Sequence, residues 1–326
     1  MTVKEQVLEL FENNPDTVLS GTRIADELGV SRNAVWKAVK SLQEEGYDID
    51  AVTNKGYTMK ISGDIMSVAS VRKYIGDAGD KFDISVVQKI TSTNDVLKEE
   101  ASNGAKEGRI IIAMEQTKGK GRMERPFYSP LGTGIYLSIL MRPDMSAKDA
   151  LFITTAAAVA VAKAVEELSE KKAQIKWVND IYCDGKKVCG ILTEASLNIE
   201  TLKLDYAVLG IGINIMEPEG GFPDEIKDIA SAVFENGKCT NQIRSRMAGL
   251  IIKYFWEYYE HIEEKTFMEE YKNRSYVIGK EIYVITGESK EHAVAVDIDD
   301  EAHLIVKMDD GTINTLSSGE VSTKVI

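Results

Sequence analysis

The sequence predicts a multidomain α+β protein in three parts, and three observations carry that prediction. A helix-rich N-terminal stretch ends in two short strands. After "KISGDIMS" strands and helices intermix to about residue 270, and the remainder is a string of short alternating strands split by turn sequences. The expected boundaries are 1–62, 67–273 and 274–326, and at 326 residues and 44% hydrophobic content the chain can bury more than one core.

Charge and cysteine content narrow the function classes. With 52 acidic against 39 basic residues the formal net charge is −13. That field repels nucleic acid and anionic membrane at long range, which excludes a nonspecific coating protein and confines any DNA contact to a local patch. "MTVKEQVLELFENNPD" has no basic segment followed by an apolar one, and no uninterrupted apolar run reaches about 18 residues. The expectation is a cytoplasmic chain with no membrane partner. Cys183, Cys189 and Cys239 form neither an even framework nor a CxxC pair and are read as reduced thiols.

The N-terminal part reads as three helices and a hairpin. In "SGTRIADELGVSRNAVWKAVKSLQEEG" Ile24, Ala25 and Leu28 share one short helix, Gly29 marks a turn, and Ser31 suits an N-cap. The next helix carries Val35, Val39 and Leu42 as an inward stripe, which turns Arg32, Asn33, Trp36, Lys37 and Lys40 outward, residue types that reach phosphates and base edges. "YDIDAVTNKGYTMK" supplies two strands around "TNKG", with Lys55 placed for backbone phosphate. Together these features resemble a winged helix-turn-helix DNA-binding domain. The same geometry also docks proteins, Glu44, Glu45, Asp48 and Asp50 are poor neighbours for DNA, and Trp36 also suits a core position.

In the central part "FDISVVQKI", "GRIIIAMEQ" and "GIYLSILMR" read as strands and "STNDVLKEEASNG" as a helix. "SAKDALFITTAAAVAVAKAVEELSEKK" reads as a long helix capped by Ser146, with Asp149 three residues on, and its apolar character on most faces implies a buried position. "IIKYFWEYYEHIEEKTFMEEY" reads as a helix whose aromatic stripe is core. The closing segment from about 275, with "TGES", "DDEA" and "DDG" between its strands, reads as an SH3-like β-barrel.

Four constellations in the central part carry chemistry. Ser92, Thr93 and Asn94 sit where a strand hands over to a helix, so hydroxyls, an amide and free N–H groups converge on one corner. In "RIIIAMEQ" alternation puts Ile110, Ile112, Met114 and Gln116 on one face, and "TKGKGRMER" follows, its Gly119 and Gly121 free to bend tightly among Lys118, Lys120, Arg122 and Arg125. It is not a Walker A loop, because no helix-opening GK[ST] follows. In "KWVNDIYCDGKKVCGILTE" Asp184 and Gly185 form a two-residue hairpin turn, which pairs Cys183 with Lys186, Tyr182 with Lys187, Ile181 with Val188 and Asp180 with Cys189. Lys176, Asn179 and Lys187 then cluster near one surface, suited to a carboxylate or phosphate. In "LGIGINI" Gly210, Gly212 and Asn214 share a face that leaves space for a ligand or for close backbone packing against a helix.

In this order and spacing, "STN", "EQTKGKGR", "KWVNDIYCDGKKVCGIL", "GIGIN" and "SGEVS" resemble the biotin–protein ligases. The helix-turn-helix adds a likeness to those members that also repress the biotin operon. The resemblance runs essentially end to end and implies a class II synthetase-like central domain that uses biotin, ATP and Mg2+. It implies biotinyl-5′-adenylate as intermediate and the biotin carboxyl carrier domain of acetyl-CoA carboxylase or a related carboxylase as acceptor. It also implies a homodimer that binds biotin operon DNA when the adenylate is bound. Lys187 and Arg122 are the implied catalytic residues. Both are also placed at biotin, with Ser92, Thr93, Asn94, Gln116, Gly119, Lys120 and Gly190. Lys176, Asn179, Asp180, Asn214 and Arg125, again with Arg122, are placed at the nucleotide; metal ligands stay open.

The loop 117–125 departs from the family motif GRGRxGR: Lys120 replaces its first arginine, Met123 and Glu124 occupy "xG", and Val178 stands where proline is usual. Two other readings follow from those departures and from the related catalytic fold. One is a biotin-sensing transcription factor with little or no ligase activity, the other a lipoate or octanoate ligase.

Overall fold

The computed structural model describes residues 2–14, 17–44, 47, 49–52, 55–59, 66–236, 241–317 and 321–325. Three helices, α1 (Val3–Asn13), α2 (Gly21–Leu28) and α3 (Arg32–Glu44), enclose a small core of Val7, Phe11, Leu19, Ile24, Val35, Val39 and Leu42. Gly29 ends α2 at φ 66°, a left-handed conformation that costs glycine no Cβ clash. Ser31 Oγ accepts the Ala34 N–H at 3.2 Å, so the expected cap of the following helix is in place. An antiparallel hairpin follows, β1 (Ile49–Val52) and β2 (Gly56–Met59), and a bridge from Leu19 to Tyr57 ties it to the turn before α2. Thr53 and Asn54 of the expected turn, and the acidic Glu45 and Asp48, lie outside the described residues.

The next elements are α4 (Val68–Ile75), β3 (Asp83–Val87), α5 (Thr93–Ser102), β4 (Arg109–Ala113), β5 (Gly134–Met141), α6 (Ala150–Leu168), β6 (Gln174–Lys176), β7 (Asp180–Cys183), β8 (Lys186–Leu197) and β9 (Leu204–Asn214). Their strands form one sheet in the order β3-β4-β5-β9-β8-β7-β6, parallel only between β3 and β4. One face packs on α6 and on α7 (Asn241–Tyr259). The other carries α5, whose Leu97 and Ala101 meet Ile111, Leu140 and Val208. The long apolar helix is buried from Phe152 to Ala162 without a break, as its composition demands.

Two helix boundaries differ from the expected ones. Ser146 does not cap α6: its hydroxyl donates to Asp149 Oδ2 at 2.7 Å, residues 147–149 form a turn, and the helix starts at Ala150. The aromatic segment is two helices, because α7 ends at Tyr259, Lys265 takes φ 52°, and α8 spans Met268–Asn273. A continuous helix would carry Tyr271 roughly 18 Å beyond Tyr259. The turn instead folds Phe267, Met268 and Tyr271 back into the core, and sets the Phe267 ring 5.7 Å from that of Tyr258.

The 184–185 hairpin forms with positive φ at both turn residues, 52° and 77°. Its first two pairs are the expected ones. Beyond them the register shifts, so Ile181 faces Cys189 and Asp180 faces Gly190. A β-bulge puts one extra residue on β8, which outward counting from the turn does not reveal. Burial pushes the Cys183 thiol up to about 11 and raises that of Cys189 as well, and both thiols are free; Cys239 lies outside the described residues.

At the C-terminus β10 (Glu281–Thr286), β11 (Ser289–Ile298), β12 (Leu304–Met308), β13 (Ile313–Leu316) and β14 (Val321–Val325) form an antiparallel sheet in the order β13-β12-β11-β10-β14. Its Ile282, Val284, Ala293, Leu304 and Val306 continue the core of the central sheet. Ser318, Gly319 and Glu320 of "SGEVS" lie outside the described residues. Among the described residues no helix is long and apolar enough to cross a membrane.

Candidate active site

The α5 face of the central sheet holds a cavity of about 480 Å³, within the range of small-molecule sites. Its first wall is the start of α5. Ser92 caps that helix through Asp95 N–H, and Ser92, Thr93 and Asn94 are 1%, 3% and 4% exposed, so their polar atoms must find partners inside. Gln116 Oε1 accepts from Thr93 N–H at 2.8 Å and from Thr93 Oγ1 at 3.1 Å, while its Nε2 donates to Ser129 Oγ at 3.2 Å. Gln116 does not continue the face of Ile110, Ile112 and Met114, which join the main core. The strand ends at Ala113, and the chain turns so that the amide reaches α5 on the opposite face. Asn94 donates to Glu194 Oε2 at 2.8 Å and accepts from Ser138 Oγ at 2.6 Å, so its amide buttresses the corner.

Strand register builds the floor. Tyr136, Gly212, Gly190 and Asp180 lie side by side across β5, β9, β8 and β7. The two neighbouring glycines leave a patch without Cβ atoms, and the Phe127 ring fills it: a Cβ on Gly212 would stand 2.6 Å from that ring, and one on Gly190 3.1 Å. A Cβ on Gly210 would collide with the Asn94 amide. The glycine face of "LGIGINI" therefore packs a helix at Gly210 and the Phe127 ring at Gly212, and both glycines line the cavity. Burial pushes the Tyr136 phenol up to about 12, so it stays neutral beside that floor.

The far wall is charged. Lys187 Nζ stands 2.7 Å from Asp180 Oδ1 as an ion pair without hydrogen-bond geometry. Asn179 donates to Ile191 O at 2.7 Å and accepts from Arg122 Nη1 at 3.2 Å. Burial draws Arg122 below its ordinary value, and the charge of Asp180 works against that loss. Lys176 lies 5.4 Å from the centre of the Tyr182 ring, itself stacked on Tyr276 at 4.9 Å. Asn214 donates to Ser231 O at 3.1 Å, which anchors the segment carrying Phe222, Ile226 and Ile229 along the cavity rim. The C-terminal sheet reaches the same cavity through Ile285, and Trp177 Nε1 donates to Ala302 O at 2.9 Å just before the cis Trp177–Val178 bond.

The glycine-rich segment is a small hairpin folded against this wall: Gly121 N–H donates to Arg125 O at 2.8 Å and Phe127 N–H to Gly119 O at 2.9 Å. Met123 and Glu124 form its tip at φ 55° and 57°, so Glu124 keeps the backbone that a glycine adopts freely. Lys120 and Arg125 line the cavity. Gly119 does not; it sits behind, where a Cβ would stand 2.5 Å from Phe127 O and 2.6 Å from Ser129 Oγ.

The structure thus gathers the residues expected at biotin and nucleotide around one cavity, Gly119 excepted. Phe127, Ser138, Asp95 and Glu194 were missed by sequence reasoning. Only Phe127 had a signal, as an aromatic closing a glycine-rich loop, and its partners became visible once strand register placed Gly190 beside Gly212. Among the described residues no three His, Cys, Asp or Glu side chains gather into a metal-holding group. Arg32, Asn33, Trp36, Lys37 and Lys40 form a separate exposed surface along α3, with Lys55 exposed on the hairpin. Trp36 is 49% exposed under Lys40 Nζ, which excludes the core reading.

Comparison with known proteins matches all three parts. The Biotin/lipoate A/B protein ligase family matches residues 86–214, an HTH domain residues 3–58, and the Biotin protein ligase C terminal domain residues 277–324. The Bifunctional ligase/repressor BirA of Bacillus subtilis (strain 168) is 37% identical over 232 residues, 71% of each chain. That of Escherichia coli (strain K12) is 26% identical over 314 residues, 94% of this chain and 92% of its own. Among solved structures, the biotin protein ligase from Aquifex aeolicus in complex with biotin and ATP aligns with a TM-score of 0.61 and 27% identity, over 75% of this chain and 99% of that one.

Proposed function

Since the chain belongs to the biotin–protein ligase family, we propose that it joins biotin to a protein lysine in two ATP-driven steps and represses transcription through its helix-turn-helix. The observation that carries this reading is the order of chemistry across the cavity. A neutral hydrogen-bonding corner at Ser92, Thr93 and Gln116 suits a ureido ring, the glycine and Phe127 floor an apolar ring and chain, and Lys187 with Arg122 a carboxylate and phosphate.

In the first step a biotin carboxylate oxygen attacks the α-phosphorus of ATP and pyrophosphate leaves. Lys187 exchanges Asp180 for the reacting oxygens and follows the charge as it shifts, while Arg122, oriented by Asn179, faces the phosphate. Lys176, Asp180, Asn214 and Arg125 complete the nucleotide side. Magnesium carried on the ATP phosphates would supply neutralisation of their charge. In the second step the acceptor amine attacks the acyl carbon, AMP leaves, and the ammonium proton passes to solvent. The acceptor is a biotin carboxyl carrier domain. ATP–pyrophosphate exchange with biotin, lipoate or octanoate tests the reading: exchange with biotin alone supports it, and exchange with none leaves a ligand-sensing regulator.

For the repressor half, Arg32→Ala and Lys37→Ala are each expected to weaken operator binding in a gel shift by about 1 kcal/mol or more, and loss of a phosphate contact lowers the salt slope by about one unit. Dimerisation uses the central sheet, where β3 is an edge strand and the β8–β9 turn exposes Leu197, Ile199 (86%) and Leu202 (66%). Ile199→Asp is expected to abolish adenylate-promoted dimers in sedimentation while leaving pyrophosphate exchange intact.

A further inference from the structure

The glycine-rich hairpin is tied to the rest of the domain through its main chain at its base, where Thr117 and Lys118 N–H donate to Ile90 O and Thr91 O, so farther out side-chain tethers bear on where its tip sits over the cavity. One of them leads to a carboxylate outside the group assigned to ligands. Lys120 Nζ lies 2.7 Å from one Asp95 oxygen and 2.8 Å from the other. Asp95 also meets Lys98 at 3.1 Å, Lys98 meets Glu194 Oε1 at 2.6 Å, and Glu194 Oε2 accepts from Asn94. From Asn94 the connections pass through Ser138 to Thr93 and Gln116. A continuous polar chain therefore runs from the loop into the head-group corner.

We propose that Asp95 and Lys120 are a positioning pair, whose ion pair tethers the loop to the first turn of α5 and so sets how long the activated intermediate stays enclosed. The inference rests on the ligase reading for the identity of that intermediate. Asp95 directly follows Asn94, so a head group that orders Ser92 to Asn94 also orders the tether's anchor. Lysine in place of the family's arginine makes a single-point contact, which suits a compact carboxylate at the end of a loop that must open again. Burial alone lifts the Asp95 carboxyl, but Lys120 and Lys98 together hold it below the ordinary carboxylate range, so the anchor stays charged at neutral pH. Both side chains are partly exposed, 34% for Asp95 and 44% for Lys120, so the pair contributes little to global stability and its removal leaves the fold in place.

The test uses the full chain and the variants Asp95→Asn, Lys120→Met, Lys120→Arg and the Asp95→Asn/Lys120→Met double. Without any substrate, trypsin is expected to cut the loop after Lys118, Lys120 and Arg122, whereas Arg125 precedes Pro126 and resists; the cut after Arg122, resolved by mass, is available in every variant. Cleavage after Arg122 is expected to accelerate about two- to fivefold in each single loss variant, the shift an ion pair of this exposure supplies, and to stay near wild type in Lys120→Arg. Release of biotinyl-5′-adenylate, followed after dilution, is expected to accelerate by a similar factor. The double variant should be no faster than either single, since both remove one contact. Asp95 also sits in the first turn of α5, so a purely capping role would lower the melting temperature of Asp95→Asn alone and leave Lys120→Met unchanged in both assays. Unchanged cleavage, faster cleavage with unchanged release, or additive effects in the double variant each overturn the proposal. If wild type makes no adenylate, the ligase reading fails by itself, and the proteolysis comparison still decides whether the tether exists.

Discussion

Lys187→Ala is expected to lower biotin-dependent pyrophosphate exchange by about 10²–10³-fold, the usual loss when one preorganised donor to a developing charge is removed. Lys187 Nζ is held 2.7 Å from Asp180, and Gly190 gives it room, since a Cβ there would stand 3.1 Å from that nitrogen. The side chain is thus placed against the cavity wall before substrate arrives. Because the charge it meets grows as the carboxylate reaches phosphorus, the loss should fall on kcat more than on KM for biotin. Asp180→Asn removes the resting partner but not the cation, so its effect should be smaller. Steady-state exchange at saturating biotin and ATP separates the cases. Exchange within threefold of wild type in Lys187→Ala would remove Lys187 from the chemistry.

Gly210→Ala is expected to unfold more easily by about 1–3 kcal/mol and to lose biotin binding, because overpacking a filled site forces its neighbours off their rotamers. The added Cβ collides with Asn94 Oδ1 and stands 2.8 Å from Asn94 Cγ. Asn94 cannot step aside: it is 4% exposed and bonded to Ser138 and Glu194, and Thr93 shares its helical turn. Relief therefore requires α5 to lift, which carries Ser92 and Thr93 away from Gln116. Gly212→Ala offers the contrast. Its Cβ meets the Phe127 ring first, the far end of a side chain in a loop, so stability should change little while the floor tilts. Thermal unfolding and calorimetric titration with biotin check both. Equal stability losses in the two variants would mean that Asn94 is no better held than Phe127.

Much of the architecture was legible because local pattern and tertiary demand agree. The stripe of Val35, Val39 and Leu42 is buried as its spacing requires, Ser31 caps its helix, and the Asp184–Gly185 turn forms where positive φ is tolerated. Where they disagree, the sequence misled. Ser146 has the chemistry of a cap but spends its hydroxyl on Asp149. The aromatic helix breaks after Tyr259 because Phe267 and Tyr271 bury more surface by turning back. A bulge after Ile181 moves Asp180 from Cys189 to Gly190.

By itself the sequence determined which residues bring chemistry to this protein: the polar corner at Ser92 to Asn94, the lysines around the 184–185 turn, the glycine-rich loop and the basic face of α3. Each of these is a property of a few consecutive residues, set by side-chain type and backbone freedom. Only the tertiary structure decided what they face. The pairing of Gly190 with Gly212, the Phe127 ring laid on them, the Asn94 amide against Gly210 and the Lys120–Asp95 contact all join residues far apart along the chain. Such contacts depend on strand register and on the packing of α5 against the sheet, which a shift of a single residue reverses and no local pattern encodes.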